Sequence, residues 1–308
     1  MTLAIVTPSY RNDFPLFADL HKSVLRYADE AVVHYVIVPE HDRELFGPMA
    51  GSRCVVLSEE SLYPARYMRA GSLNQVINRL PGIPARARIA AINTRRPLHP
   101  IRGWVMQQLL KIDFCRQLSV DMVLLIDSDV ELVRPLDGAA LGYGGRATLY
   151  RKPREIDVDM PVHMQWHVAA HELLGLPPVR FPAPDYVSSF CVWEPAVVRA
   201  MVNQIEEATN RPWSDAVTRL QTFSEWTVYG VYATEVMGYS GASCRESSLC
   251  YSYWGTSPLT FENAAEFISG IRQEDVAVHI QSKTNTPQSV RRSVLDIVSS
   301  GSNPSSVS

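Results

Sequence analysis

The strongest constraint on the fold is a run of five apolar residues, Met122–Ile126 (MVLLI), near the middle of the chain. Residues 103–118 (GWVMQQLLKIDFCRQL) precede it and carry apolar side chains at helical spacing, so the run follows a predicted helix almost directly. A short run that is apolar at every position is typical of a strand buried on both faces. Such a strand requires helices on both sides of its sheet.

The first 60 residues predict the same architecture. Strand-like apolar runs at residues 3–7, 31–39 and 54–57 alternate with helical patterns at residues 14–27 and 41–46. Alternation of this kind indicates an α/β fold in which helices flank a mostly parallel sheet.

The second half carries weaker patterns of the same two kinds. It predicts helices at residues 163–174, 196–208 and 225–237 and strands at residues 147–151, 187–193 and 276–280. The sequence contains no internal repeat and no clean linker, so we expect one domain over residues 1–298. Residues 299–308 are polar and of low complexity, which predicts a disordered tail.

Composition narrows the class of protein. The formal net charge of −3 offers no broad positive surface for nucleic acid. No apolar run approaches the ~18 residues of a membrane span, and the N-terminus lacks the features of a secretion signal. The five cysteines are scattered and form no CxxC pair, which favours a reduced, cytoplasmic protein. Residues 58–101 contain seven arginines and predict either a solvated surface or a loop near an anionic ligand.

Two aspartates, Asp127 and Asp129, follow the central strand directly. Residues two apart in a strand point to the same side, and open α/β sheets bind ligands outside the carboxyl ends of their strands. Two carboxylates that converge there suit Mg²⁺ or Mn²⁺, which usually complete their coordination with substrate phosphates. The alternative is that both are ordinary turn-forming or helix-capping residues. The metal site is favoured because the apolar strand places both carboxylates at the edge of the core.

The segment VLLIDSDVELVRPL resembles the DxD segment of the metal-dependent GT-A glycosyltransferases. The helical segment GWVMQQLLKIDF and the opening run IVTPSY resemble, in the same order along the chain, the helix before that segment and the first strand of these enzymes. The late segment VHIQSK resembles the H-x-x-x-K element of glycogenin-like members, without their glycine and terminal Pro-Trp. The resemblance runs from about residue 3 to residue 283 and implies a GT-A-like (Rossmann-like) fold.

The same resemblance implies transfer of a sugar from a nucleoside-diphosphate donor, linked to UDP or GDP, to a glycan or small-molecule acceptor. Residues 1–135 would form the nucleotide and metal half, and residues 136–298 the acceptor half. His279 would be a further ligand of Mn²⁺ or Mg²⁺ beside the two aspartates, and Lys283 would contact the diphosphate.

Further site residues are expected around this centre. The end of the first strand would form the floor of the nucleotide pocket, through Thr7, Pro8, Ser9 and Tyr10. Asp127 would also contact the nucleotide, and Lys111 would reach either the nucleotide or solvent. An inverting reaction needs a general base, for which the candidates are Glu225 and Asp185. The alternatives are a first-turn acid for Glu225 and a turn residue for Asp185, and the pattern does not distinguish inversion from retention.

A stripe of histidines supports a different function. His163, His167 and His171 recur every fourth residue and would share one face of a helix, where two could bind Zn²⁺ as in H-E-x-x-H. This spacing makes a zinc-dependent hydrolase one alternative. A catalytically inactive nucleotide- or carbohydrate-binding protein of the same fold is another, because fold does not determine function.

Overall fold

The computed structural model describes residues 1–63, 67–69, 89–94, 100–220 and 222–301. Its strands in chain order are β1 (Leu3–Pro8), β2 (Val33–Val38), β3 (Cys54–Ser58), β4 (Tyr67–Arg69), β5 (Ile89–Asn93), β6 (Pro100–Arg102), β7 (Met122–Ile126), β8 (Val130–Leu132), β9 (Gly142–Tyr143), β10 (Arg146–Ala147), β11 (Leu149–Tyr150), β12 (Lys152–Ile156), β13 (Ala183–Asp185), β14 (Phe190–Trp193), β15 (Cys244–Arg245), β16 (Cys250–Tyr253) and β17 (Ala277–Ile280). Its α-helices are α1 (Phe14–Tyr27), α2 (Arg43–Phe46), α3 (Gly103–Gln117), α4 (Pro161–Leu174), α5 (Pro195–Thr209), α6 (Trp213–Val217), α7 (Glu225–Val231), α8 (Phe261–Ser269) and α9 (Gln288–Ser300).

The central sheet has five strands in the order β14-β7-β1-β2-β3. Strands β7, β1, β2 and β3 run parallel, whereas β14, at one edge, is antiparallel to β7. Strand β7 is buried at every position. The prediction of a mixed α/β fold with a mostly parallel sheet is therefore confirmed, and the carboxyl ends of β1 and β7 lie side by side.

The two faces of this sheet belong to two hydrophobic cores. Val6 of β1 and Leu125 of β7 join the core that includes Leu109 of α3. Ile5 and Leu124, one position earlier in each strand, join the opposite core with α1. Successive strand residues point to opposite faces, and helices cover both, which explains why MVLLI is apolar throughout.

A second sheet has three strands in the order β16-β17-β8. Only residues 127–129 separate β7 from β8, so the two aspartates lie in the turn that carries the chain from the central sheet to the second one. Helices α8 and α9 cover the second sheet through a core that contains Phe267, Val278 and Val294. This arrangement brings the C-terminal part of the chain to the aspartate turn.

Several boundaries differ from the sequence-based expectation. Helices α8 and α9 were not expected, and the helix expected at residues 225–237 becomes a π-helix after Val231. Helix α9 continues to Ser300 and ends at Gly301, which has a φ of 67° that favours glycine. The expected start of a disordered tail at residue 299 is therefore wrong, because α9 is held by its buried apolar side chains; residues 302–308 lie outside the described residues. Most of the arginine-rich segment also lies outside them.

Within the described part of the chain, no helix is both long enough and apolar enough to cross a membrane. The five cysteines, one of which begins β3, are all unpaired.

Candidate functional site

The turn at residues 127–129 is tied to the end of β1. The Ser128 hydroxyl lies 3.3 Å from the carbonyl oxygen of Pro8 and 3.0 Å from the hydroxyl of Ser9. Strands β1 and β7 are neighbours in the sheet, so these contacts join the two loops that leave them. The expected pocket floor and the expected metal ligands therefore meet at one edge of the sheet.

Pairing of β8 with β17 brings Asp129 close to His279. His279 Nε2 lies 3.4 Å from Asp129 Oδ1, and the backbone N–H of Ser282 donates to Asp129 Oδ2 at 2.7 Å. Burial acts to raise the pKa of Asp129, but the contact with His279 and the Ser282 N–H hold that pKa below its ordinary value. Asp129 is therefore a carboxylate at neutral pH, which is the form that binds a cation.

His279 is 1% exposed and lies beneath the indole of Trp254, with ring centroids 4.4 Å apart. Its Nδ1 atom is buried without a hydrogen-bond partner among the described residues. A buried polar atom without a partner is uncommon and costly. The imidazole is thus held in place by packing and has its polar contact on the Nε2 side, toward Asp129.

Arg291 of α9 holds the same corner together. Its Nη1 donates to the carbonyl oxygen of Ile280 at 2.6 Å, and its Nη2 donates to that of Asp129 at 3.1 Å. The side chain is buried, and its planar guanidinium suits two fixed acceptors. Sequence analysis missed Arg291, because its two partners lie 11 and 162 positions away in the chain. The sequence feature that could have identified it is a charged residue among the apolar positions of a helix.

Lys111 of α3 lies between two carboxylates. Its Nζ is 3.5 Å from Asp127 Oδ1, 3.1 Å from Glu225 Oε1 and 4.4 Å from the ring centroid of Trp226. Burial acts to lower the pKa of Lys111, but the two carboxylates raise it above its ordinary value. Lys111 is therefore a fixed positive charge beside the aspartate turn.

Glu225, one of the two expected general bases, is 3% exposed. It begins α7, where its backbone N–H donates to Gln108 Oε1 at 2.9 Å. Burial raises the pKa of Glu225, although the charge of Lys111 acts in the opposite direction. A role as general base would require the ion pair with Lys111 to open, so the geometry favours Glu225 as the residue that positions Lys111.

Asp13 is a third carboxylate at this edge, and sequence analysis did not identify it. Burial and the negative charges of Asp129 and Asp127 raise its pKa to about 6. It lies just before α1, three residues after Tyr10, in the loop that leaves β1. Asp13 could have been identified from the sequence, because it lies only three residues beyond Tyr10 in the loop that follows β1.

The chemistry of these donors fits a hard divalent cation. Carboxylates suit Mn²⁺ or Mg²⁺, and imidazole is a common metal ligand. Burial raises the pKa of Asp13, and the negative charges of Asp129 and Asp127 add to this effect. Among the described residues, no three His, Cys, Asp or Glu side chains already form a group that could hold a metal ion. Asp129 contacts His279, whereas Asp127 contacts Lys111.

The other expected nucleotide-binding residues occupy different environments. Thr7 is fully buried, and its hydroxyl lies 2.9 Å from His34 Nε2, so it serves the core rather than the pocket floor. Tyr10 is exposed in the loop after β1. Lys283 is exposed and follows Ser282, whose N–H binds the aspartate turn.

Asp185, the second expected general base, ends β13. Its Oδ1 accepts the backbone N–H of Val187 at 3.0 Å, which is the turn that the alternative interpretation predicts. Burial raises the pKa of Asp185, while the Val187 N–H and the charge of His163 act against this effect. Asp185 is therefore a partly buried carboxylate next to α4.

The three histidines of α4 have separate environments. His167 Nε2 lies 2.8 Å from the carbonyl oxygen of Pro184, His171 Nδ1 lies 2.7 Å from that of Pro177, and His163 packs against a tryptophan ring. Burial lowers the pKa of His167 to about 4. In the residues that the structure describes, the stripe does not form a metal-binding group, and it gives a zinc site no support.

Comparison with known proteins identifies a family for this chain, but that family has no assigned function. No curated protein matches the chain. The family described as DUF6492, a family of unknown function, matches residues 1–295. The match includes the central sheet, the aspartate turn, His279 and Arg291. The chain therefore belongs to this family of unknown function, DUF6492.

Proposed function

We propose that this protein is a metal-dependent glycosyltransferase with a GT-A-like fold. It would transfer a sugar from a UDP- or GDP-linked donor to a hydroxyl of a glycan or a small molecule. The observation that carries the proposal is the meeting of the aspartate turn, His279 and Lys111 beside the carboxyl ends of β1 and β7. Open α/β sheets bind nucleotides at this edge.

The topology supports the proposed fold. Four parallel strands and one antiparallel edge strand form the central sheet, and the aspartate turn leads from it into a second, smaller sheet. The second sheet supplies His279 from late in the chain. This order of elements agrees with the resemblance of the four sequence segments to GT-A enzymes.

The proposed roles follow from the charges. Asp129 and His279, joined by Asp127, would hold the cation. When bound, Mn²⁺ or Mg²⁺ offsets the negative charge that develops on the departing diphosphate. Lys111 supplies a fixed positive charge at the same edge. The exposed Lys283 supplies a second one that can act as a point charge on a phosphate.

The nucleoside and the acceptor would lie on either side of this centre. Ser9 and the exposed Tyr10 would contact the nucleoside, since they follow β1 and are tied to the aspartate turn. If the reaction inverts, Asp185 is the proposed base, because the burial that raises its pKa makes it a better proton acceptor. The unpaired cysteines support the further proposal that the protein works in the cytoplasm.

Release of nucleotide from a panel of UDP- and GDP-sugars tests this function. With Mn²⁺ we expect release by the native chain, and release at least 100-fold slower with EDTA or in Asp129→Asn. The exposed Asp159 provides a matched control, and Asp159→Asn should behave like the native chain. Nucleotide binding without release would favour the inactive binding protein, and neither binding nor release would contradict the proposal.

A further inference from the structure

Three aromatic rings cluster at the surface between α3 and α4. The ring centroids of Trp104 and Trp166 are 6.0 Å apart, and those of His163 and Trp166 are 4.3 Å apart. Trp104 is 46% exposed, which is unusual for so large an apolar side chain. We call Trp104, Trp166 and His163 the aromatic platform.

The platform lies on the same side of α3 as Lys111. Trp104 and Lys111 are seven residues apart in one helix, so they share a face and are separated by about 10 Å along its axis. Lys111 in turn contacts Asp127 at 3.5 Å. The platform therefore lies about two helical turns along α3 from the lysine that contacts the aspartate turn.

A carboxylate accompanies the platform. The carbonyl oxygen of Pro184 lies 2.8 Å from His167 Nε2, so Asp185, the next residue, lies against α4 about one helical turn from His163. A sugar ring presents an apolar C–H face and a rim of hydroxyl groups. An indole face packs against the first, and a carboxylate accepts hydrogen bonds from the second.

We infer that the aromatic platform binds a sugar ring of the acceptor substrate, with Trp104 stacked on the ring and Asp185 accepting a hydroxyl hydrogen bond. The inference rests on the proposed function, since it places a second substrate beside a nucleotide-sugar donor. It narrows the acceptor from any hydroxyl compound to a carbohydrate. Trp104 is the residue that decides this specificity, because it is the exposed ring of the cluster.

Saturation-transfer NMR of the full chain with methyl β-glucoside, methyl β-galactoside and methyl α-mannoside tests the inference. We expect at least one glycoside to bind the native chain, and Trp104→Ala to weaken that binding at least tenfold. Trp104→Phe should restore part of it, because a phenyl ring can still stack. Tyr143→Ala removes an exposed ring from β9 and should change nothing. Circular dichroism establishes that each variant is folded.

Calorimetry of UDP and GDP with Mn²⁺ on the same variants separates the two claims. Trp104→Ala should leave nucleotide affinity within twofold, because the platform lies about 10 Å along the helix from Lys111. The inference is overturned if no glycoside binds, if binding survives Trp104→Ala, or if that variant loses nucleotide binding. Absence of nucleotide binding with Trp104-dependent glycoside binding would overturn the proposed function and leave a carbohydrate site.

Discussion

Lys111 Nζ lies 3.1 Å from Glu225 Oε1, although the two residues are 114 positions apart in the chain. Both side chains are buried, and Lys111 also reaches Asp127. The ion pair therefore fixes a positive charge beside the aspartate turn and at the same time joins α3 to α7.

Glu225→Gln should destabilise the protein. The substitution leaves Lys111 buried without its nearest negative charge, and loss of one partner of a buried pair costs about 3 kcal/mol. Urea unfolding measures this loss. Glu155→Gln breaks the exposed pair with Lys152 and should cost less than about 1 kcal/mol. Equal losses for Glu225→Gln and Glu155→Gln would show that burial of the Lys111–Glu225 pair has no energetic consequence.

Arg291→Gln should weaken Mn²⁺ binding. Arg291 holds the carbonyl oxygens of Asp129 and Ile280, so its loss frees the two segments that carry the proposed metal ligands. Residues that orient metal ligands typically contribute 10–100-fold to affinity, and we expect about tenfold here. Calorimetric titration with Mn²⁺ gives the value. The neighbouring Arg292 is exposed, and Arg292→Gln should have no effect; an unchanged affinity in Arg291→Gln as well would refute this role.

A buried pair of histidines should make stability fall in acid. His21 Nδ1 lies 3.1 Å from His34 Nδ1, burial lowers the pKa of both, and that of His34 falls to about 3. The unfolded chain therefore binds protons that the folded chain does not. The stabilisation is complete above the ordinary pKa near 6.5 and is lost as the pH falls below it, by about 1.4 kcal/mol per pH unit for His34 until the pH reaches its folded pKa of about 3. The lowered pKa of His21 acts in the same direction.

His34→Gln tests this dependence, because glutamine stays neutral. Between pH 7.5 and 4.5 the free energy of unfolding of the variant should fall less steeply than that of the native chain. Urea unfolding at several pH values provides both profiles. Parallel profiles would mean that His34 does not carry the effect.

Gly230→Ala should destabilise α7, although alanine is normally the better helix former. A Cβ atom at Gly230 would lie 2.2 Å from Cγ of Tyr186. Overpacking of this kind costs about 1–3 kcal/mol, against the ~1 kcal/mol that alanine gains in a helix, and an approach of 2.2 Å to a ring is close enough for the cost to exceed the gain. At Gly103, the first residue of α3, no described atom would contact the added Cβ. Thermal unfolding should show a lower midpoint for Gly230→Ala and no lower midpoint for the control Gly103→Ala. A Gly230→Ala variant that is more stable than the native chain would contradict the packing account.

Local patterns predicted the first half of the fold well. The apolar residues of α1 recur at helical spacing, and every residue of β7 is apolar. Both patterns can be seen within a few neighbouring residues, so the bounds of these elements could be inferred directly. Helix α9 was missed because its sequence, QSVRRSVLDIVSS, is rich in polar residues. It is stabilised by packing of Val290, Val294 and Val298 in one core with β17, which is near in the chain, and with Val133, which is far from it.

The candidate site was only partly predictable for the same reason. The Asp127 and Asp129 pair follows a strand and could be found locally. The contact between Lys111 and Glu225 depends on how α3 packs near α7, and no local pattern reports it. The role of Gly230 likewise becomes clear only from the ring of Tyr186 against it.

The central claim is that nucleotide binds through a divalent cation held by Asp129. Calorimetry of the purified chain with UDP and with GDP, each with Mn²⁺ and with EDTA, tests it most directly. We predict that one nucleotide binds with Mn²⁺, that EDTA abolishes the binding, and that Asp129→Asn weakens it at least 100-fold while Asp159→Asn does not. Binding of neither nucleotide in the presence of Mn²⁺, or equal binding by the native chain and Asp129→Asn, would contradict the account.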